Sequence, residues 1–349
     1  MDINEQEPVE NPEVAVPEPQ PEPIEPIPVL NHTGIQNASI QKPGQTKYIA
    51  GIIIVSLIGI FAVLGGVVLN AEPTEIVEEE VPTKTFVDPF DTVSIGGQAG
   101  IVLDLQSGNI LFNKNASTSL PLASVTKLMS AYTALEHAPN ILSITIDPTD
   151  IMIEGDQGLI IGETWRLDDL LDFSLVTSSN DGMHAIARTV GGFSYSGDNR
   201  QNFIALMNQT AKDLGLSSMT FVNETGLDEE TGQAGGVGSA YDVAQLIGKL
   251  AVTYPDAVTR TRDNEFSVLS LSGLVHVGHN TNIGAAAIPG LLASKTGYTD
   301  LAGGNLAIVY NQGLNRPIAV VVLGSTPEGR FGDVETLVKT TQKYFQSQP

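Results

Sequence analysis

The chain has 349 residues, no cysteine and a formal net charge of −23 at pH 7. The lack of cysteine excludes disulfide bridges, thiolate metal sites and a cysteine nucleophile. We expect no nucleic-acid partner, because phosphate binding needs clustered Lys and Arg and the sequence contains no basic stripe. The length suits one large globular domain with appendages, or two small domains.

The first 47 residues are rich in Pro and Glu, most densely between residues 17 and 23. Such a composition buries too little apolar surface to offset the entropy lost on ordering. We therefore predict that residues 1–47 form a disordered tail.

An apolar segment follows the tail. Residues 49–69 contain 21 residues without a charge, which as a helix span the roughly 30 Å hydrocarbon core of a bilayer. The alternatives are a buried core helix or a cleaved signal peptide, although a prefix of 48 residues argues against the latter. We expect a transmembrane helix over residues 48–70.

The charges that flank the apolar segment indicate its orientation. Lys42 and Lys47 precede it, whereas its far side is mostly acidic, which places the N-terminus inside the cell. Residues 71–91 are acidic and contain three prolines, and we interpret them as an extended linker. The protein is thus expected in the cytoplasmic membrane as a single-pass protein, with residues 92–349 as an extracytoplasmic domain.

The pattern of apolar residues in this domain changes along the chain. Period-two runs and turn residues predict strands at its two ends, and a spacing of three or four residues predicts helices between them and at the C-terminus. The expected strands are 101–105, 110–112, 304–310 and 317–324, and the expected helices are 124–137, 166–176, 181–190, 200–214, 241–252 and 332–345. This order indicates an α+β fold, with a sheet built from both ends of the domain and a helical subdomain between them.

Three short motifs in the domain carry chemical groups suited to acyl transfer. They are Ser124-Val125-Thr126-Lys127, Ser178-Ser179-Asn180 and Lys295-Thr296-Gly297. Residues i and i+3 share one face of a helix, so the Lys127 amine can act as the base for the Ser124 hydroxyl. Loss of the lysine proton is favoured by burial and by a second cation, for which Lys295 is the candidate.

The motifs and their flanks resemble the low-molecular-weight penicillin-binding proteins, the serine D-alanyl-D-alanine carboxypeptidases. The resemblance covers roughly residues 97–326 and includes the stretches 121–131, 221–227, 280–282 and 295–303. It implies a β-lactamase/DD-peptidase-like fold, in which an antiparallel sheet flanked by helices lies beside a helical subdomain. It also implies that the partners are peptidoglycan stem peptides ending in D-Ala-D-Ala, and that β-lactams acylate the enzyme.

The same resemblance implies a role for each site residue. Ser124 attacks the penultimate D-Ala carbonyl, Lys127 accepts its proton, Ser178 passes a proton to the leaving D-Ala, and Asn180 holds substrate and lysine. For substrate binding, Lys295 and Thr296 hold the terminal carboxylate, Gly297 lets the substrate backbone approach, and the backbone N–H groups of Ser124 and Tyr298 form the oxyanion hole. No metal or organic cofactor is expected, since His276 and His279 lack a third ligand nearby in the sequence.

Other functions remain open at this point. A β-lactamase shares the nucleophile, but its commonest class needs a positioned glutamate; Glu224 belongs to the 221–227 stretch and is interpreted as structural. An endopeptidase that cuts D-Ala cross-links would use the same residues. A non-catalytic scaffold bound to the wall and anchored in the membrane is a third possibility, but it would not need both Ser124 and Lys127.

Overall fold

The computed structural model describes residues 86–155, 157–193 and 197–348. Its α-helices are α1 (Lys127–His137), α2 (Leu167–Thr177), α3 (Asn180–Gly191), α4 (Asn199–Asp213), α5 (Ala240–Thr253), α6 (Pro255–Thr259) and α7 (Gly329–Ser347). Its strands are β1 (Ala99–Asp104), β2 (Ile110–Lys114), β3 (Ser119–Pro121), β4 (Ser143–Thr145), β5 (Thr164–Arg166), β6 (Thr220–Phe221), β7 (Gly236–Ser239), β8 (Glu265–Leu269), β9 (Val275–His279), β10 (Leu291–Thr299), β11 (Gly303–Asn311) and β12 (Pro317–Ser325).

The main sheet joins the two ends of the domain. Its strand order is β10-β11-β12-β1-β2, and all of its pairs are antiparallel. The first strand, β1, lies beside the last strand, β12, with Ile101 opposite Val321. The expected α+β architecture, with a sheet built from both ends of the domain, is therefore confirmed.

Helices cover both faces of this sheet, which explains the continuous apolar runs of β11 and β12. Successive side chains of a strand point to opposite faces. Val321 therefore packs in one core cluster with Val243 of α5, whereas Val320 packs in a second cluster with Leu337 of α7. Both faces need apolar residues, so these strands show no alternation with polar ones.

The helical layer shares its core with the sheet. Trp165, Phe173 and Phe203 from the helical region are almost fully buried, and they belong to the same cluster as Val321 of the sheet. Because one core spans both layers, a residue held by a helix can keep a fixed position relative to a residue on a strand.

The predicted elements agree closely with the observed ones. Each predicted helix and strand is present, with its ends shifted by at most three residues. Strand β10 was not predicted from the residue pattern, because the polar residues Ser294 to Thr296 and Gly297 interrupt its apolar sequence. The hairpin of β8 and β9 was not predicted either.

The folded part extends further toward the N-terminus than the predicted boundary at residue 92. Asp88 caps a 3₁₀ turn over Pro89–Thr92, and Phe90 is buried. The Phe86 ring meets Tyr344 of α7 edge-on, with ring centroids 5.7 Å apart. Residues 86–91, which were assigned to the linker, thus pack on the domain because their aromatic side chains find apolar partners on α7.

The predicted tail, the apolar segment 48–70 and the linker as far as residue 85 lie outside the described residues. Among the helices of residues 86–348 that the structure describes, none combines the length and the apolar character needed to cross a bilayer.

Two glycines allow a matched test of how closely α3 packs against α4. A methyl group on Gly191, at the end of α3, would collide with the backbone carbonyl of Asn199, whereas a methyl group on Gly332, at an exposed position of α7, would meet no atom within 4 Å. We expect Gly191→Ala to lower the free energy of unfolding by about 3 kcal/mol, because two backbones must separate. Gly332→Ala should raise it by about 0.5–1 kcal/mol through the lower chain entropy of the unfolded state.

Denaturant unfolding of both variants beside the parent measures these two changes. Equal effects of the two substitutions would contradict the close approach of α3 and α4 at Gly191.

Candidate active site

The nucleophile candidate Ser124 lies in a short 3₁₀ turn, Ala123–Thr126, which leads directly into α1. The predicted helix 124–137 is therefore 3₁₀ in its first turn. Ala123 has a left-handed backbone with φ of 48°, a strained conformation for a residue with a side chain. Gly226 packs on the Ala123 carbonyl so closely that any side chain there would collide with it. The contact with Gly226 thus helps to hold the nucleophile turn in its strained conformation.

Lys127 is fully buried, and its amine lies among three oxygen atoms. The Nζ atom is 2.8 Å from Ser124 Oγ, 2.7 Å from Asn180 Oδ1 and 2.9 Å from the Thr225 carbonyl oxygen. Burial lowers the Lys127 pKa to about 7, while the charge of Glu224 acts in the opposite direction. A large fraction of this lysine is therefore neutral at neutral pH.

The partners of a neutral Lys127 determine where its lone pair points. Asn180 Oδ1 and the Thr225 carbonyl can only accept hydrogen bonds, so they take the two remaining N–H groups. The Ser124 hydroxyl is the one neighbour of the three that can donate a proton. The lone pair of the neutral amine therefore faces the Ser124 O–H, as general-base activation of the hydroxyl requires.

Ser178 occupies the tight turn between α2 and α3. Its φ of 63° places it in the left-handed region, and Ser179 caps α3 by accepting from the Gly182 N–H at 3.0 Å. Lys295 Nζ donates to Ser178 Oγ at 2.9 Å. The second and third motifs therefore meet through this hydrogen bond.

Asn180 links the nucleophile to a loop that the sequence did not single out. Its Oδ1 accepts from Lys127, and its Nδ2 donates to the Glu154 carbonyl at 2.6 Å. The loop passes very near this amide, because a methyl group on Gly155 would lie 3.0 Å from Nδ2. Asn180 thus has its orientation set by hydrogen bonds on both sides.

Lys295, Thr296, Gly297 and Tyr298 lie on β10, one of the two edge strands of the main sheet. Lys295 and Thr296 are buried, whereas Tyr298 is half exposed. Burial and the charges of Lys127 and Arg330 lower the pKa of Lys295 well below its usual value. Within the described residues no salt bridge neutralises Lys295, so an anionic ligand would be favoured there.

The fold itself gives a reason for a glycine at position 297. A methyl group at this position would lie 2.7 Å from the Leu122 carbonyl oxygen and 3.1 Å from the Val125 nitrogen. The missing side chain therefore lets β10 pack against the nucleophile turn. The expectation that Gly297 also makes room for the substrate backbone stays a prediction.

Arg330 is a site residue that the sequence analysis missed. It lies in the first turn of α7, and its Nη1 donates to the Gly297 carbonyl at 2.7 Å. Burial lowers the pKa of this guanidinium. No local pattern marks Arg330, because its closeness to β10 depends on how α7 packs on the sheet.

Glu224 carries a buried carboxylate near the site, but it is paired with Arg200 at 2.9 Å. The Ser130 hydroxyl donates to the Glu224 backbone carbonyl at 2.6 Å. These contacts agree with a structural role. The backbone donors expected for an oxyanion hole, at Ser124 and Tyr298, stay a prediction.

Comparison with known proteins agrees with this arrangement. The family model described as D-alanyl-D-alanine carboxypeptidase, Peptidase_S11, matches residues 84–326. The D-alanyl-D-alanine carboxypeptidase DacF of Bacillus subtilis is 29% identical over 267 residues, which cover 72% of this chain and 64% of the relative. The chain therefore spans less than two thirds of that relative's length.

Two further matches extend the comparison. A D-alanyl-D-alanine endopeptidase of Escherichia coli is 26% identical over 244 residues, covering 66% of this chain and 71% of the relative. The solved structure of penicillin-binding protein D2 from Listeria monocytogenes, in its ampicillin-bound form, matches with a TM-score of 0.61 and 28% identity, over 71% of this chain and 98% of that one. Since the family model covers well over half of the sequence, this chain belongs to the S11 peptidase family of D-alanyl-D-alanine carboxypeptidases.

Proposed function

We propose that this protein is a serine-type D-Ala-D-Ala carboxypeptidase that trims peptidoglycan stem peptides through an acyl-enzyme on Ser124. The observation that carries the proposal is the contact of Ser124 Oγ with the buried Lys127 amine, at 2.8 Å. The lowered pKa of that amine, about 7, supports its role as the base. The named relatives support the choice of substrate.

In the acylation step, Ser124 Oγ attacks the carbonyl carbon of the penultimate D-Ala, and its proton passes to Lys127. The bond to the terminal D-Ala then breaks, and the leaving nitrogen takes the proton of the Ser178 hydroxyl. Ser178 recovers a proton from Lys295, which donates to it at 2.9 Å. One lysine has gained a proton and the other has lost one, so the protons balance.

In the deacylation step, water attacks the ester carbon and gives a proton to neutral Lys295, while Lys127 returns its proton to Ser124 Oγ. The products are a peptide shortened by one residue and the free hydroxyl. Every group that moves a proton is one of the described side chains, and the chemistry needs water as the only further reactant.

The binding of the terminal carboxylate follows from charge. Lys295, Thr296 and Arg330 lie together on β10 and the start of α7 in a protein that is otherwise strongly acidic. A carboxylate bound there would keep Lys295 protonated, since it supplies the negative charge that the buried amine lacks. A cation cluster at this place would favour a substrate with a free, negatively charged C-terminus over an internal peptide bond, which carries no charge.

An endopeptidase activity on D-Ala cross-links is the second candidate. Relatives named as endopeptidases match this chain at 26% identity, and the same serine and lysine would perform the chemistry. The cation cluster favours the carboxypeptidase, because cross-linked substrates present a longer chain beyond the D-Ala.

The nucleophile is tested with the full-length protein and benzylpenicillin. We expect a stable mass increase of one benzylpenicillin on the parent and none on Ser124→Ala, since that variant lacks the attacking oxygen. Release of D-alanine from a D-Ala-D-Ala peptide, followed by chromatography, should stop in the same variant. Ser217→Ala, which changes an exposed serine between α4 and β6 and outside the three motifs, controls for a general effect of substitution.

A parent that forms no adduct and leaves penicillin and peptide intact would contradict the proposed activity and favour the scaffold. Cleavage of a cross-linked dimer without release of terminal D-alanine would favour the endopeptidase.

The pH dependence of acylation tests Lys127 as the base. Its pKa in the folded protein is lowered to about 7, so the neutral, active form grows as the pH rises through that value. We expect the second-order rate constant for benzylpenicillin to rise about tenfold per pH unit below the Lys127 pKa. It should stop rising at higher pH, where Lys295, whose pKa is lowered as well, loses the proton that binds the carboxylate. Mass spectra of reactions that are quenched at set times, at pH values between about 5 and 8.5, give the pH profile of the acylation rate constant.

A rate that falls as the pH rises from about 5 toward the Lys127 pKa of about 7 would be incompatible with a lysine base. Thermal unfolding in the same buffers shows whether any change in rate comes from loss of the folded state.

We also propose that residues 48–70 anchor the protein in the cytoplasmic membrane, with the N-terminus inside and the catalytic domain outside. The support is the uncharged run of 21 residues at 49–69 and the lysines before it. With an N-terminal tag, the full chain should stay in the membrane pellet after alkaline extraction, and a variant without residues 49–69 should not. Loss of the tag from the mature protein would indicate a cleaved signal peptide instead.

A further inference from the structure

Thr296, one of the three groups at the carboxylate site, has a hydroxyl neighbour outside the three motifs. Thr281 Oγ1 lies 2.6 Å from Thr296 Oγ1. Thr296 is buried and Thr281 is half-buried. Across the described residues, Thr281 is the one side chain that forms a hydrogen bond with the Thr296 hydroxyl.

The turn that carries Thr281 is held rigidly by its two asparagines. Asn280 Nδ2 donates to the carbonyls of Thr261 and Asp263, at 2.8 and 2.9 Å. The Asn282 N–H donates to Asn280 Oδ1 at 2.8 Å. These bonds close the turn on itself, so the side chain between them has little freedom to move.

The same residue is also tied to the helical subdomain. The Thr281 N–H donates to the carbonyl of Val176, at the end of α2 and two residues before Ser178. Thr281 therefore lies between the strand that carries Lys295 and Thr296 and the helix end that leads to the second motif. Its position is determined by both layers of the domain.

The proton arrangement of the two hydroxyls has two states. Either Thr296 donates to Thr281, and its oxygen then presents only lone pairs to a ligand, or Thr281 donates to Thr296 and leaves the Thr296 proton free. A carboxylate only accepts hydrogen bonds. A bound carboxylate therefore requires the second state, in which the bonds run from Thr281 to Thr296 to the ligand and strengthen one another.

We propose that Thr281 is a positioning residue for carboxylate recognition, which orients the Thr296 hydroxyl so that its proton points at the terminal carboxylate of the substrate. The inference rests on the proposed function, because it takes Thr296 as a carboxylate ligand. Thr281 itself touches Thr296 and not the reacting atoms.

Thr281→Val tests this role because it removes the hydroxyl and keeps the shape of the side chain. We expect the second-order acylation rate constant for benzylpenicillin, which carries a carboxylate, to fall about 3- to 10-fold, the range for one lost hydrogen bond. The constant for benzylpenicillin methyl ester should fall less, because its uncharged ester is a weaker hydrogen-bond acceptor than a carboxylate. Thr281→Ser keeps the hydroxyl and should restore the parent rate with the free acid.

A double-substitution cycle shows whether Thr281 acts through Thr296. In a Thr296→Val background, Thr281→Val should cause no further loss with the free acid, since the hydroxyl it orients is absent. With a D-Ala-D-Ala peptide, the effect of Thr281→Val should appear in KM more than in kcat.

Equal losses of the acylation rate constant with the acid and the ester would overturn the proposal and show that Thr281 only supports the fold. Additive losses in the double variant would overturn it in the same way. An unchanged rate with the acid would overturn it as well. A parent acylated by neither compound would instead contradict the proposed function, and the inference with it. Thermal unfolding of each variant, with Thr281→Ser as the folded reference, separates misfolding from these outcomes.

Discussion

The burial of Lys127 without a contacting carboxylate is the constraint on which the active site depends. An amine in this environment loses much of its preference for a proton, and the oxygen atoms around it leave the lone pair directed at Ser124. If an acidic side chain contacted Nζ, the amine would stay charged and could not act as a base. Glu224, the nearby acid, is instead bound by Arg200.

Three separate parts of the chain hold this lysine and its partner in place. The strained turn at Ala123 presents Ser124, the left-handed turn at Ser178 directs Asn180 toward Lys127, and β10 packs against the first of these turns through Gly297. Ala123 and Ser178 are two of the four residues other than glycine with positive φ in the part of the chain that the structure describes. Strained backbone of this kind is maintained only where the surrounding fold stabilises it, and here the shared core of helices and sheet does so.

The charges of the site contrast with those of the whole chain. A protein of net charge −23 gathers two buried lysines and an arginine around one strand end. Each of these cations has its pKa lowered mainly by burial. An anion bound there would offset part of the free energy that their burial costs, which is the physical basis for proposing a carboxylate ligand.

The sequence alone determined the order of helices and strands, because their apolar periodicities follow from packing against one core. It also identified Ser124 and Lys127, because a serine and a lysine one helical turn apart suit acyl transfer, and Lys295 as the second cation. Ser178, Asn180 and the rest of the 295–298 stretch became site candidates through the resemblance to the penicillin-binding proteins. Only the tertiary structure placed Arg330, Thr281 and the Glu154 carbonyl at the site. These residues are distant in sequence from the groups they contact, and a hydrogen bond between distant residues leaves no periodic signal in either segment. The close approach of Gly297 to the backbone of the nucleophile turn was likewise visible only in the tertiary structure, because it joins two segments that are distant in sequence.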